Sequence, residues 1–403
     1  MTSVSIDPLD PRTLYSTPNA IAPHYSRFRV AERLLLTGHS HQAWPDAGLA
    51  GQQRAWLDAA EYVDAKWARA EEQASAVRQN WSRLLNDPDS DIALGQNTHE
   101  LVTRLLSALP LAERPRIIAT TGEFHTVRRQ LDRLAEAGLQ VERIHAHPVD
   151  LLADRLVAAV DSKTAAVIVS SVLFETAEIV PGLDRVAARC ELEGAVLLVD
   201  AYHHLNALPF DIRAMGLEHA FVTGGGYKYC QLGEGNAFLR LPSGCQLRPV
   251  LTGWFSEFAA LDHRPQAQPV AYGSGSARFA GATYDPTSHY RAAAVFAFHQ
   301  RIGLTPALLR EVSVHQVGVL QAAVEALDAP RDLVEIIAPR PDRRAGFLAV
   351  RSSAAAELCE GLRARGVIAD NRGPTLRLGP APYLTDDQLR EAVSRLGDTI
   401  AGR

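Results

Sequence analysis

The sequence predicts an α/β three-layer sandwich, with a mostly parallel sheet between helical layers, and a smaller α+β domain at the C-terminal end. Five short apolar runs, RIIAT (116–120), AAVIVSS (165–171), AVLLVDA (195–201), HAFVT (219–223) and NAFLRL (236–241), lack the polar alternation of a half-exposed strand. Strands buried on both faces look like this. Helical patterns such as VRRQLDRLAEAG and LDRVAARCELEG lie between several of them and end on a glycine, which closes a helix cheaply. Strands alternating with helices imply parallel pairing, because the helix supplies the crossover. With 403 residues there is chain enough for two domains.

Taken in order, residues 1–50 read as an extended arm, rich in Pro and polar residues, that joins the small domain. Residues 51–285 form the large domain. Within it, Trp56, Ala60, Val63, Trp67, Ala70, Ala74, Val77, Trp81 and Leu84 recur at helical steps, so long amphipathic helices cover 51–86. Residues 286–403 supply a connecting helical stretch, to about 327, and the small domain. There RDLVEIIAPRPDRRAGFLAVRSS reads as two antiparallel strands and AAAELCEGLRARG as a helix. Short strands and a final helix capped by Thr385 complete the chain.

Hydrophobic content of 47%, charged content of 22% and a net charge of −5 give no general attraction for nucleic acid or for an anionic membrane surface. Cys190, Cys230, Cys245 and Cys359 form no CxxC pair and no zinc spacing, which fits reduced thiols in the cytoplasm. The opening 25 residues hold no apolar core flanked by positive charge, and no apolar stretch reaches spanning length. A cytoplasmic protein is expected.

Only Lys66, Lys163 and Lys228 are lysines among the 41 basic residues. Arginine meets the general need for positive charge, so Lys228, in the uncharged run TGGGYKYCQLG, invites attention as an amine. An amine can lose its proton when desolvated and can condense with an aldehyde; guanidinium does neither. The pattern GxxxxGK[ST] is not met, since Tyr229 follows the lysine. Asp200 closes the apolar run AVLLVD, where a carboxylate needs a cation, and DAYHH opens no evident helix for it to cap. Both residues follow strands of one sheet, at the edge where ligands gather.

A lysine and an acid so placed match what pyridoxal phosphate requires, an amine for its aldehyde and a carboxylate for its ring nitrogen. Phe124, after the strand RIIAT, is placed to stack on a ring. Asn97 and Thr98 begin a helical pattern whose N-terminus suits a phosphate. Arg377, on a short C-terminal strand, could hold a carboxylate by its fork. Each has a plainer alternative: a surface lysine in a glycine loop, a core phenylalanine, a simple N-cap, one more arginine.

On VDAYHH, GGYKY, TGWFSEF, FAGAT and RLGPAPYLT, over about residues 34–390, the chain resembles the fold type I pyridoxal-phosphate enzymes of the class V aminotransferase group, and within it kynureninase. The resemblance implies that Lys228 bonds the cofactor, Asp200 pairs with its ring nitrogen, His203 lies near the ring and Phe124 stacks on it. It further implies that Thr98 and Tyr227 bind phosphate, that Tyr227 relays protons, and that Arg377 holds the substrate carboxylate. Trp254 and Thr283 would reach the phosphate of a neighbouring subunit, so a homodimer with shared sites is expected. Three places depart from kynureninase: GHSHQ replaces a GNSLG-like turn, Val127 replaces an acid, and SVLFETAEIV lacks a Tyr-Arg-Ser-Gly pattern. His39 and His41 are then candidates for a different polar substrate group; no third metal ligand stands near them. The implied reaction is hydrolytic cleavage of a Cβ–Cγ bond in an amino acid. The alternatives are an aminotransferase or β-eliminating lyase on the same scaffold, or a non-catalytic interaction protein that keeps the fold. A cysteine desulfurase fits less well, since Cys359 falls within a helical pattern.

Overall fold

The computed structural model describes residues 9–260, 269–337 and 340–402. The opening segment is not extended. It winds through three short 3-10 turns, Pro11–Leu14, Ala22–Phe28 and Val30–Glu32, into the two-residue strand β1 (Leu34–Leu35). Helices α1 (Asp46–Tyr62) and α2 (Lys66–Leu84) follow. The large domain then runs β2 (Asp91–Gly95), α3 (Thr98–Ala108), β3 (Arg116–Thr120), α4 (His125–Glu136), β4 (Gln140–Ile144), α5 (Leu152–Ala159) and β5 (Thr164–Ser170). It continues through α6 (Leu183–Glu193), β6 (Val196–Asp200), β7 (Phe221–Gly225) and β8 (Ala237–Leu241). Last come α7 (Thr287–Arg301), α8 (Pro306–Glu325), β9 (Glu335–Ile337), β10 (Leu348–Arg351), α9 (Ala355–Ala364), β11 (Val367–Ile368), β12 (Asp370–Arg372), β13 (Thr375–Leu378) and α10 (Asp386–Ala401).

Seven strands form the main sheet in the order β2-β8-β7-β6-β5-β3-β4. Only β8 runs against its neighbours; the other contiguous pairs are parallel. Alternation along each strand builds two cores. Ile118, Val167, Val169, Val199 and Val222 pack with Leu152 and Val186 on one face. Ile117, Ile168, Leu198 and Phe221 pack with Leu101, Leu105 and Leu131 on the other. That is the three-layer arrangement, and it leaves the carboxyl ends of β3, β5, β6 and β7 along one edge.

The small domain is a four-stranded antiparallel sheet, β12-β13-β10-β9. Leu14, Tyr25 and Leu36 from the opening segment share its core with Leu320, Leu348, Leu358, Leu376 and Leu396. Helix α10 begins with a full capping box between Thr385 and Gln388.

The 51–86 periodicity behaves less simply than expected. Ala70, Ala74, Val77 and Trp81 are buried, but Trp56 is 79% and Val63 68% exposed. The helix breaks at Val63, whose φ of 51° is left-handed, and the outer apolar residues face away from this chain's own core. Among the described residues, no helix is long and apolar enough to cross a membrane.

Candidate active site

Lys228 lies just past β7, beyond a tight passage of glycines. A side-chain carbon on Gly225 would collide with Tyr202, and one on Gly226 with Leu232. The chain can therefore turn inward and bring the lysine under the sheet edge. Its side chain is buried, with Nζ 2.6 Å from His203 Nε2. The amine also lies 4.6 Å from the ring centre of Tyr202, 5.3 Å from that of Phe124 and 5.7 Å from that of Tyr227. Burial pushes the amine down to about 7, against the pull of Asp200 and with the help of Arg377. It is thus poised to exchange a proton near neutrality.

Asp200 ends β6, in register with Ser170 of β5 and Thr223 of β7. Its Oδ1 accepts the Tyr202 backbone N–H at 2.8 Å. Burial raises this carboxyl above its ordinary range, and that N–H and the Lys228 charge offset the rise only in part. His203 is pushed well below the usual imidazole range, by burial first and then by Lys228. The imidazole is therefore neutral, and Nε2 shares a hydrogen bond with the amine. Its Nδ1 is buried without a partner among the described residues.

A cavity of about 180 Å³ joins these groups to the start of α3. Asn97, Thr98, Phe124, Asp200, His203, Tyr227 and Lys228 all line it. Asn97 is the N-cap of α3, its side chain accepting the Glu100 N–H at 3.0 Å. Phe124 caps α4 and meets Phe174 edge-on, with centroids 5.3 Å apart.

Other expected residues lie elsewhere. Thr283 lines a separate, open cavity of about 950 Å³, and Trp254 is 44% exposed, packed on Phe255 and Phe258. Neither lines this chain's Lys228 cavity. His41 is exposed and stacks on Tyr227 at 4.9 Å. His39 is fully buried, and its Nε2 meets Asp370 Oδ1 at 2.8 Å; burial first, then Arg377, pushes it down to about 4. Arg377 is not an open fork. Its Nε and Nη2 donate to Asp370 at 2.9 and 2.6 Å, and Nη1 donates to the Phe174 carbonyl at 2.6 Å.

Asp370, Arg372 and Glu123 are among the residues around the site that escaped the sequence reading, as are the cavity-lining Ser170 and Tyr202. Asp370 could have been found, because the tight turn at Gly373 and Pro374 makes it the cross-strand partner of Arg377. Arg372 lies on the same strand, 3.6 Å from Asp370, and its charge helps lower the Lys228 amine. Glu123, next to Phe124, is buried against Thr120 and Ser170; its only signal was a carboxylate in a strand-end turn.

Residues 309–396 match the kynureninase C-terminal domain family. An uncharacterised aminotransferase of Bacillus subtilis, YcbU, is 22% identical over 343 residues, 85% of this chain and 88% of its own. A kynureninase of Shouchella clausii is 24% identical over 321 residues, 74% of this chain and 70% of its own. Among solved structures, a variant of the cystine C-S lyase C-DES, with glycine covalently linked to its PLP cofactor, superposes with a TM-score of 0.80 at 18% identity. That match covers 93% of this chain and 98% of the other. A cysteine desulfurase from Thermococcus onnurineus gives 0.76 at 15% identity, over 93% and 96% of the two chains. The fold is that of the type I pyridoxal-phosphate enzymes. Over most of its length the chain is thus similar to an aminotransferase and to a kynureninase, and over residues 309–396 to the kynureninase C-terminal domain.

Proposed function

We propose that this pyridoxal-phosphate-dependent enzyme acts on an α-amino acid and hydrolyses its Cβ–Cγ bond, releasing alanine. The observation that carries this is the desolvated amine of Lys228 sharing one cavity with Asp200 and a helix N-terminus. When bound, pyridoxal phosphate supplies an aldehyde that a primary amine captures and a ring that draws electrons from the substrate's α-carbon.

The residues present fit such a group. Lys228 would bond its aldehyde, Asp200 would pair with the ring nitrogen, and Phe124 and His203 would flank the ring. Asn97, Thr98 and Tyr227 would hold the phosphate. The buried Nδ1 of His203 has no partner among the described residues, as expected of a group that meets a ligand.

Lys228 Nζ, partly neutral near pH 7, takes a proton from the substrate's α-carbon and returns it. His203 Nε2, 2.6 Å away, fixes the direction of that amine. Tyr227 keeps its phenolic proton because burial, first, raises it, and it donates that proton during cleavage. Arg377 takes the substrate carboxylate while Asp370 and His39 fix its orientation. His41, stacked on Tyr227 at the cavity's outer side, meets the substrate side chain.

Trp254 and Thr283 would complete the phosphate site of a second copy. Trp254 and Phe258, packed on one another and exposed, leave apolar surface that a second copy would cover in a homodimer; that dimer would lie in the cytoplasm. A second reading, an aminotransferase, is favoured by the fuller coverage of the Bacillus subtilis relative. Product analysis separates the two. Alanine released from kynurenine or 3-hydroxykynurenine supports the hydrolase. Amino exchange with keto acids and no alanine from either compound replaces it with the transferase.

A further inference from the structure

The Lys228 cavity borders a second carboxyl that the proposed chemistry leaves unused. Glu123 is 3% exposed in the turn between β3 and α4. Its Oε1 accepts the Thr120 hydroxyl at 2.5 Å and the Ser170 N–H at 3.2 Å, and its Oε2 lies 2.7 Å from Ser170 Oγ. Ser170 ends β5, is the register partner of Asp200 and lines the cavity. Glu123 therefore reaches from β3 across the end of β5 toward the acid on β6.

The two carboxyls are not equivalent. Asp200 has the Lys228 charge and the Tyr202 N–H; the described partners of Glu123 are hydroxyls and one backbone N–H. A buried carboxylate without a cation is strongly disfavoured and neutralises by taking a proton. We propose that Glu123 carries a proton in the folded protein, donates that O–H to Ser170 Oγ, and so keeps the negative charge of this sheet edge on Asp200. Ser170's own O–H is then free to donate into the cavity. Were Glu123 ionised, Ser170 would spend that proton on Glu123 instead. Glu123 is a positioning residue, acting through Ser170 and Asp200.

The titratable groups around it agree. Burial pushes Glu123 up to about 7; the Thr120 and Ser170 bonds oppose this, and Asp200 raises it further. Lys228, His203, Tyr202, Tyr227, His99 and Glu234 also line this cavity, His125 opens α4 beside Phe124, and the Lys228 charge acts to lower Asp200. The inference rests on the proposed site only in needing Asp200 charged. Its test uses cofactor-free protein, so its failure is separable from failure of the cofactor assignment.

Infrared difference spectra of the cofactor-free protein at mildly acidic pH should show a protonated carboxyl C=O band that Glu123→Gln removes and Asp200→Asn retains. The Gln amide can donate to Ser170 Oγ as the acid does, so the variant should fold. Its unfolding midpoint should gain on the wild type as pH rises from 4.5 to about 7 and level off above, since in that window unfolding the wild type releases a proton that Gln does not carry. Should Glu123→Gln not accumulate, Ser170→Ala must shift the same band. A band that survives Glu123→Gln, vanishes in Asp200→Asn, or ignores Ser170→Ala overturns the proposal.

Discussion

Around Lys228 buried polar groups face a cavity, whereas around Arg377 most are closed on one another, His39 Nδ1 alone of the Arg377, Asp370 and His39 cluster lacking a partner among the described residues. The first region holds an amine pushed down to about 7, an unpartnered His203 Nδ1 and the start of α3, all facing one cavity. In the second, Asp370 takes two bonds from Arg377 and one from His39, and a carbonyl takes a fourth. Asp370 is accordingly held below the usual carboxylate range by His39 and Arg377, against its burial. On the proposed reading the open groups would meet the cofactor, and the closed ones would brace the side that takes the substrate.

The largest expected effect falls on the open region. Lys228→Ala should abolish the near-visible absorbance of the cofactor-loaded protein and cut turnover by about 10³-fold or more, the scale set by a lost acid–base group. Retention of the band would mean that the amine is not what the cofactor meets. Next comes the brace. Asp370→Ala leaves Arg377, 3% exposed, without its carboxylate, and breaking such a pair costs about 3–5 kcal/mol. Denaturant midpoints should fall accordingly and KM should rise. If Asp370 merely competes with substrate, KM would drop instead.

The folded Lys228 amine, at about 7 against an ordinary 10.5, makes the folded chain bind fewer protons than the unfolded one between those values. Stability of the cofactor-free protein should therefore rise with pH across that window, and Lys228→Met should remove the rise. Thermal midpoints read across the window decide it. Smallest is Thr385→Ala, which breaks the α10 capping box far from both regions. It should cost about 0.5–2 kcal/mol and leave cofactor absorbance unaltered; a change in that absorbance would blur the contrast between the regions.

Much of the open region was legible in the sequence, because strand ends in a parallel sheet fall along one edge whatever else the chain does. RIIAT coincides with β3, and Asp200 ends β6 as its place after the five apolar residues AVLLV suggested. The scarcity of lysine singled out Lys228. The closed region was less legible. Arg377 was visible as an arginine on a strand, but its occupant depends on hairpin register, two residues either side of a turn. Strands β2 and β4 were missed: DIALG ends in a glycine, and QVERI mixes apolar and charged residues at a sheet margin. Trp56 marked a helix correctly and its buried face wrongly, and Val63 fell at the break between two helices, since a periodic apolar face says that something covers it and not what does.

The central claim is that one of three lysines meets the cofactor. Borohydride reduction of the cofactor-loaded protein, followed by peptide mass mapping, tests it most directly. The pyridoxyl mass should appear on the peptide containing Lys228 and be absent from those containing Lys66 and Lys163. Finding it on either of the other two, or on none, would contradict the assignment of this cavity as the active site.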